Sequence, residues 1–175
     1  MVAGTKAEQA MKKEDSNNPR GVEDIQAWRR ASTDYNKTGI TASYIVDADK
    51  LLPSVKVLKD AGYFLEDIAG VDVREGIMLV YHFDRYDRAG RIAIRLIVPH
   101  ERKEAPSIIS IFSGANWHER ECLDFFGVHF EGNPDMKPLL LPDDLGLHPL
   151  LKSQASQRES IYNLLPLDMV TDHDD

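Results

Sequence analysis

Two apolar runs in the middle of the chain divide with a period of two into one wholly apolar set and one mixed set. In "GIMLVYHFD", Ile77, Leu79, Tyr81 and Phe83 alternate with Met78, Val80 and His82. In "RIAIRLIVP", Ile92, Ile94, Leu96 and Val98 alternate with Ala93, Arg95 and Ile97. Successive strand side chains point to opposite faces, so both runs predict strands with one face on a core. The intervening "RYDRAG" carries turn-forming Asp87 and Gly90 and predicts a β-hairpin. "FLEDIAGVDV" predicts a further strand, and "SIISIF" a short strand or a turn.

Helical spacing takes over elsewhere. Leu51, Leu52, Val55 and Leu58 in "DADKLLPSVKVLKDAGY" predict a helix capped by Asp47 or Asp49, with Pro53 in its first turn and Gly62 at its end. "VEDIQAWRRASTDY" predicts a short helix with Ile25, Trp28 and Arg29 on one side. "GANWHERECLDFFG" predicts a helix stopped by Gly127. On it Ala115, Cys122, Leu123, Phe125 and Phe126 share a broad apolar side. Arg120 and Asp124 stand opposite, spaced for an ion pair. Glu119 falls inside the apolar side, where a carboxylate is costly. It is therefore expected to reach solvent at the edge or to meet a cation. Trp117, beside charged neighbours, is an interface candidate.

Periodicity fades after Phe130. "EGNPDMKPLLLPDDLGLHPLLKSQ" is broken by four prolines yet rich in leucine. It predicts an extended segment that buries its leucines against the domain or a partner. The first 20 residues are polar and predict a disordered tail, and "VTDHDD" predicts a frayed end. The expected organisation is a tail over 1–20, an α+β domain over 21–136, and an extended partner-binding segment over 137–175.

Composition narrows the function. The chain has 175 residues and a net charge of -8, which argues against nucleic acid as a main partner. No apolar run approaches the roughly 20 residues that span a bilayer, and the N-terminus lacks the apolar core of a secretory signal. One cysteine excludes an internal disulfide and an iron–sulfur cluster held by this chain alone. No GxGxxG or GxxxxGK[ST] pattern supports a nucleotide site.

His118, Glu119 and Cys122 imitate the HExxH helix of a zinc protease with its second histidine replaced. A metal-dependent hydrolase is the reading this suggests, but the third ligand has no candidate at a recognisable spacing. A Cys–His nucleophile pair lacks an orienting third group. Neither is adopted: no catalytic, cofactor-binding or metal residue is assigned.

The run from Trp117 through Glu119, Arg120, Glu121, Asp124, Phe126 and Gly127, then Phe130, Gly132, Asn133, Pro134 and Lys137, Pro142-Asp143-Asp144, and finally His148-Pro149-Leu150 and Lys152, resembles the signature of the 30-kilodalton-type (C-type) subunit of respiratory complex I. The resemblance covers residues 50 to 152. In that pattern His118 and Cys122 occupy free positions. Pro138 after Lys137, and "SQASQRES" after "HPLLK", depart from it. These departures leave open the related energy-converting hydrogenases, formate hydrogenlyases and F420H2 dehydrogenases.

The resemblance implies an α+β fold: a mostly antiparallel sheet with helices on one face and an irregular C-terminal segment. It implies a non-catalytic structural or assembly subunit in the hydrophilic arm of an NADH:quinone oxidoreductase, where electron transfer to quinone is coupled to ion translocation. FMN, iron–sulfur clusters and quinone would belong to partner subunits. The implied neighbours are a hydrogenase-large-subunit-like (D-type) subunit and the terminal-cluster (B-type) subunit, and the implied location is peripheral, on the cytoplasmic face of the inner membrane. The implied interface residues are Trp117, Glu119, Arg120, Glu121, Asp124, Phe126, Lys137, Leu140, Pro142, Asp143, Asp144, His148 and Lys152.

Overall fold

The computed structural model describes residues 21–153 and 158–165. The tail over 1–20 and the "VTDHDD" end lie outside the described residues. In chain order the elements are β1 (Arg29–Ser32), α1 (Tyr35–Thr38), β2 (Ala42–Val46), α2 (Ala48–Asp60), β3 (Phe64–Val73), β4 (Gly76–Asp84), β5 (Ile92–Val98), β6 (Glu104–Pro106), α3 (Ala115–Phe126), β7 (His129–Glu131) and α4 (Ile161–Leu164).

The alternating runs pair as the expected hairpin. Strands β4 and β5 are antiparallel, with Ile77 opposite Val98 and Phe83 opposite Ile92. Antiparallel β3 extends the sheet on one side, and β2 joins β5 in parallel on the other, giving the order β1-β2-β5-β4-β3. The fold is α+β with a mixed, mostly antiparallel sheet. One face carries Ile77, Leu79, Tyr81, Phe83, Ile92 and Ile94, which pack with Leu51, Val55 and Leu58 of α2 and with Cys122 and Phe126 of α3. Alternation nevertheless does not leave the other face to water. Val73, Met78, Val80 and Ala93 form a second buried cluster with Ile161 of α4.

Two local readings need correction. "VEDIQAWRRAS" is not a helix: Arg29–Ser32 form an edge strand antiparallel to β2. Weak helical spacing yields there to the backbone partners that β2 supplies. Pro53 lies in the second turn of α2, not the first, where its missing N–H removes one bond of the ladder. Helix α2 does end at Gly62 (φ 83°), where the Gly62 and Tyr63 N–H groups donate to the carbonyls of Lys59 and Leu58. This is the Schellman arrangement that glycine favours. "SIISIF" is a turn.

Candidate functional site

Helix α3 carries the motif, and Gly70 determines how closely it lies on the sheet. A Cβ at Gly70 would stand 2.5 Å from the Phe126 ring, so a larger residue on β3 would push the helix away. At the far end Gly127 ends α3 in the left-handed conformation (φ 72°). A Cβ there would meet the His148 ring at 2.5 Å, so the same glycine both turns the chain and seats that ring.

Glu119 is fully buried. It neither reaches solvent nor meets a cation, contrary to the expectation from helical position. Its Oε2 accepts from the Ser107 hydroxyl and from the Asn133 amide, each at 2.8 Å, and its Oε1 accepts from the Ile108 N–H at 2.9 Å. The two-stranded parallel sheet of β6 and β7 brings these donors together. Ser107 and Ile108 directly follow β6, and Asn133 follows β7. Burial raises the Glu119 pKa, and the three donated hydrogen bonds oppose that rise without cancelling it.

Asp124 is also buried, and the ion pair expected with Arg120 is not its main contact. Its Oδ2 accepts from the backbone N–H groups of Leu139, Leu140 and Leu141, at 3.0, 2.7 and 3.1 Å. Burial works against its charge, but the three N–H donors prevail and hold its carboxyl below the usual range. Arg120 donates instead to the carbonyls of Lys137 and Pro138, each at 2.9 Å, and lies 3.4 Å from the Asp135 carboxylate. Its guanidinium stands 5.8 Å from the ring centroid of Trp117, itself 62% exposed.

The leucine-rich segment is thereby strapped across the end of α3. His148 Nδ1 hydrogen-bonds the Asp124 carbonyl at 2.8 Å, and the Leu150 N–H donates to the Phe125 carbonyl. The strap ends at Asp72, whose buried carboxylate accepts from the Lys152 N–H, from His100 and from Arg158. Burial opposes the Asp72 charge, and these bonds outweigh it and lower its pKa. Asp72 is not among the sequence candidates. Its one signal is a carboxylate inside a strand, in "GVDV".

Four of the strap's leucines face solvent, while Leu139 and Leu141 are half-buried and Leu151 packs against the core. Leu140, Leu147 and Leu150 are each more than half exposed, and Leu145 is exposed as well. Pro142, Asp143 and Asp144 also lie at the surface, as do Glu121 and Lys137, while Lys152 is half-buried. The predicted site residues therefore divide. Glu119, Asp124 and Phe126 are buried within the chain, Arg120 anchors the strap, His148 and Lys152 are half-buried, and Trp117, Glu121, Lys137, Leu140, Pro142, Asp143 and Asp144 are exposed.

The protease-like trio does not converge. His118 and Cys122 line a groove beside β3, whereas the Glu119 carboxylate is taken up by Ser107, Ile108 and Asn133. Cys122 is buried, its thiol raised to about 12 by burial and then by the charges of Glu121, Glu119 and Asp67. An inert thiol of this kind is a poor nucleophile or metal ligand. Among the described residues no three His, Cys, Asp or Glu side chains are grouped to hold a metal ion, and no helix is long and apolar enough to cross a membrane.

The chain is similar to the C subunit of the F(420)H(2) dehydrogenase of Methanosarcina mazei, 38% identical over 112 residues that span 61% of this chain and 71% of that protein. It is also similar to the C subunit of the NADH-quinone oxidoreductase of Moorella thermoacetica, 38% identical over 119 residues spanning 66% and 80%. In fold it resembles a chain of the membrane-bound sulfane sulfur reductase, an archaeal respiratory membrane complex, with a TM-score of 0.59 at 24% identity over 91% of this chain and 89% of that one. It likewise resembles the trypsin-resistant fragment of Nqo5, with a TM-score of 0.53 at 23% identity over 75% and 99%. The model of the family "Respiratory-chain NADH dehydrogenase, 30 Kd subunit" matches residues 44–160. That match takes in β3, β4, β5 and the end of β2, the helix with its two buried carboxylates and the strap that Asp124 holds, and the chain belongs to this family of 30-kilodalton respiratory-chain subunits.

Proposed function

We propose that this chain is a non-catalytic assembly subunit in the hydrophilic arm of an NADH:quinone oxidoreductase-type complex, where it holds other subunits together while they carry electrons to quinone and translocate ions. The strap supports this reading. A leucine-rich segment fixed by its backbone, with Leu140, Leu145, Leu147 and Leu150 turned to solvent, is an apolar surface prepared for another protein. On this reading the α+β domain over 21–136 is the scaffold and the chain from Lys137 onward is the docking element. FMN, clusters and quinone belong to the partners. The partners are a hydrogenase-large-subunit-like chain and the terminal-cluster chain, at the cytoplasmic face of the membrane.

Equal identity to an F(420)H(2) dehydrogenase subunit and to an NADH-quinone oxidoreductase subunit favours a second reading in which the donor is reduced F420. One purification tests both. The tagged chain, isolated from its own cells, is expected to bring down the large-subunit-like and terminal-cluster chains with quinone reduction by NADH or by reduced F420. The donor used decides between the two readings. A chain that comes down alone, or that carries stoichiometric metal or flavin itself, would overturn both.

A further inference from the structure

Beside the strap, a groove of about 340 Å³ opens between β3 and α3. Its walls include the apolar side chains of Phe125, Phe126 and Leu150, and its polar residues include Asp67, Glu121 and His118. No lysine or arginine lines it. Asp67 is half-exposed and bonded to His82 at 2.7 Å, which fixes one carboxylate at the lip. Glu121 is exposed, and no hydrogen bond or ion pair of the described residues holds it. The negative field reaches the groove wall, where both carboxylates help raise the Cys122 thiol. The groove is continuous with the exposed strap through Leu150.

We propose that this groove receives an arginine side chain from a partner subunit. The inference rests on the chain being a docked subunit, as the strap argues. The volume lies at the small end of ligand-sized pockets and suits one long side chain. Aromatic and aliphatic walls suit the methylene stem and the flat face of a guanidinium, and carboxylates at the lip suit its paired N–H groups. A lysine ammonium is more strongly hydrated and gains less from such walls. In the free chain two carboxylates face a groove that no lysine or arginine lines, and a partner's arginine would pair with them.

The test measures affinity between this chain and the rest of its complex stripped of the chain, at several salt concentrations. Glu121→Gln removes a carboxylate that the free chain does not use, so its melting temperature is expected to be unchanged. Its affinity should fall about tenfold, and Asp67→Asn added to it should bring the loss to about a hundredfold, with a flatter salt dependence. A Glu121→Gln variant that binds with native affinity and native salt dependence would overturn the proposal. Leu147→Asp serves as the parallel arm. If it binds normally while Glu121→Gln is weakened, the strap reading fails and the groove stands; if only Leu147→Asp is weakened, the groove fails and the strap stands.

Discussion

Glu119 and Asp124 lie five residues apart on one helix, both buried and both accepting three hydrogen bonds, yet their charges are held in opposite senses. Glu119 takes a hydroxyl, a side-chain amide and one backbone N–H, and burial prevails: its pKa is raised. Asp124 takes three consecutive backbone N–H groups on a single oxygen, and they prevail over burial: its pKa is lowered. Backbone N–H groups cannot turn round to accept, whereas a serine hydroxyl can. The first carboxylate ties the helix to the interior of the domain and the second ties the strap to the helix. The difference shows how the donors that meet a buried carboxylate decide the sense in which its charge is held.

The largest expected effect comes from removing the interior anchor. Glu119→Ala orphans the Ser107, Ile108 and Asn133 donors at once and should lower global stability by about 3–5 kcal/mol, read by chemical denaturation. A loss below about 1 kcal/mol would mean that water or a neighbour replaces the carboxylate at no cost.

Asp124→Ala should act more locally. Three strap N–H groups lose a charged acceptor, a cost of about 1.5–3 kcal/mol. The strap should then exchange its amide hydrogens and be cut by proteases while the sheet stays protected. Uniform loss of protection across both regions would contradict the division between domain and strap.

The pH dependence separates the two anchors by sign. The folded pKa of Asp124 is lowered, so its contribution is present above the unfolded value of about 3.9 and is lost as pH falls through the lower folded value. Asp72, at the strap's other end, has the same sign. The folded pKa of Glu119 is raised, so its contribution is full below the unfolded value of about 4.3 and is lost as pH rises through the higher folded value. Acid should therefore release the strap before the sheet, as read by hydrogen exchange. Glu119→Gln should remove the loss of stability on the rising side. A Glu119→Gln variant that keeps that loss would assign it to another group.

A smaller effect is expected at Arg95. It is buried, its pKa is lowered to about 10 by burial, and its guanidinium bonds the Ser43 hydroxyl, with no carboxylate among the described residues paired to it. Because the folded pKa lies below that of the unfolded chain, its burial cost is present at neutral pH and is relieved only above about pH 10. Arg95→Met, which keeps the bulk, should leave stability unchanged or raise it by about 1 kcal/mol. Destabilisation would reveal an anion that pairs with it.

Helix α2, the β4–β5 hairpin and helix α3 are legible in the sequence because each repeats an apolar pattern over two turns or more, or along a full strand. Strand β2 is not: "ASYIV" is buried on both faces between β1 and β5 and so has no alternation to detect. Strand β1 reads as a helix because its identity comes from that neighbour. Within the site, helical spacing correctly marks Glu119 as a carboxylate in an apolar setting. It cannot name Ser107, Ile108 and Asn133, which loops of the small parallel sheet deliver. The spacing of Arg120 and Asp124 suggests a pair, but the strap offers both better partners in its backbone. The strap's leucines read as needing cover; Leu151 finds it on the core, whereas Leu140, Leu145, Leu147 and Leu150 stand exposed in the free chain.

Those leucines are where the account is most directly tested. Leu147→Asp should change the stability of the isolated chain by no more than about 0.5 kcal/mol, as expected for an exposed position. The same variant should fail to join the rest of the complex when the two are mixed. A variant that unfolds the chain, or that assembles as the native chain does, would contradict the claim that the strap is held by its backbone so that its leucines can meet another subunit.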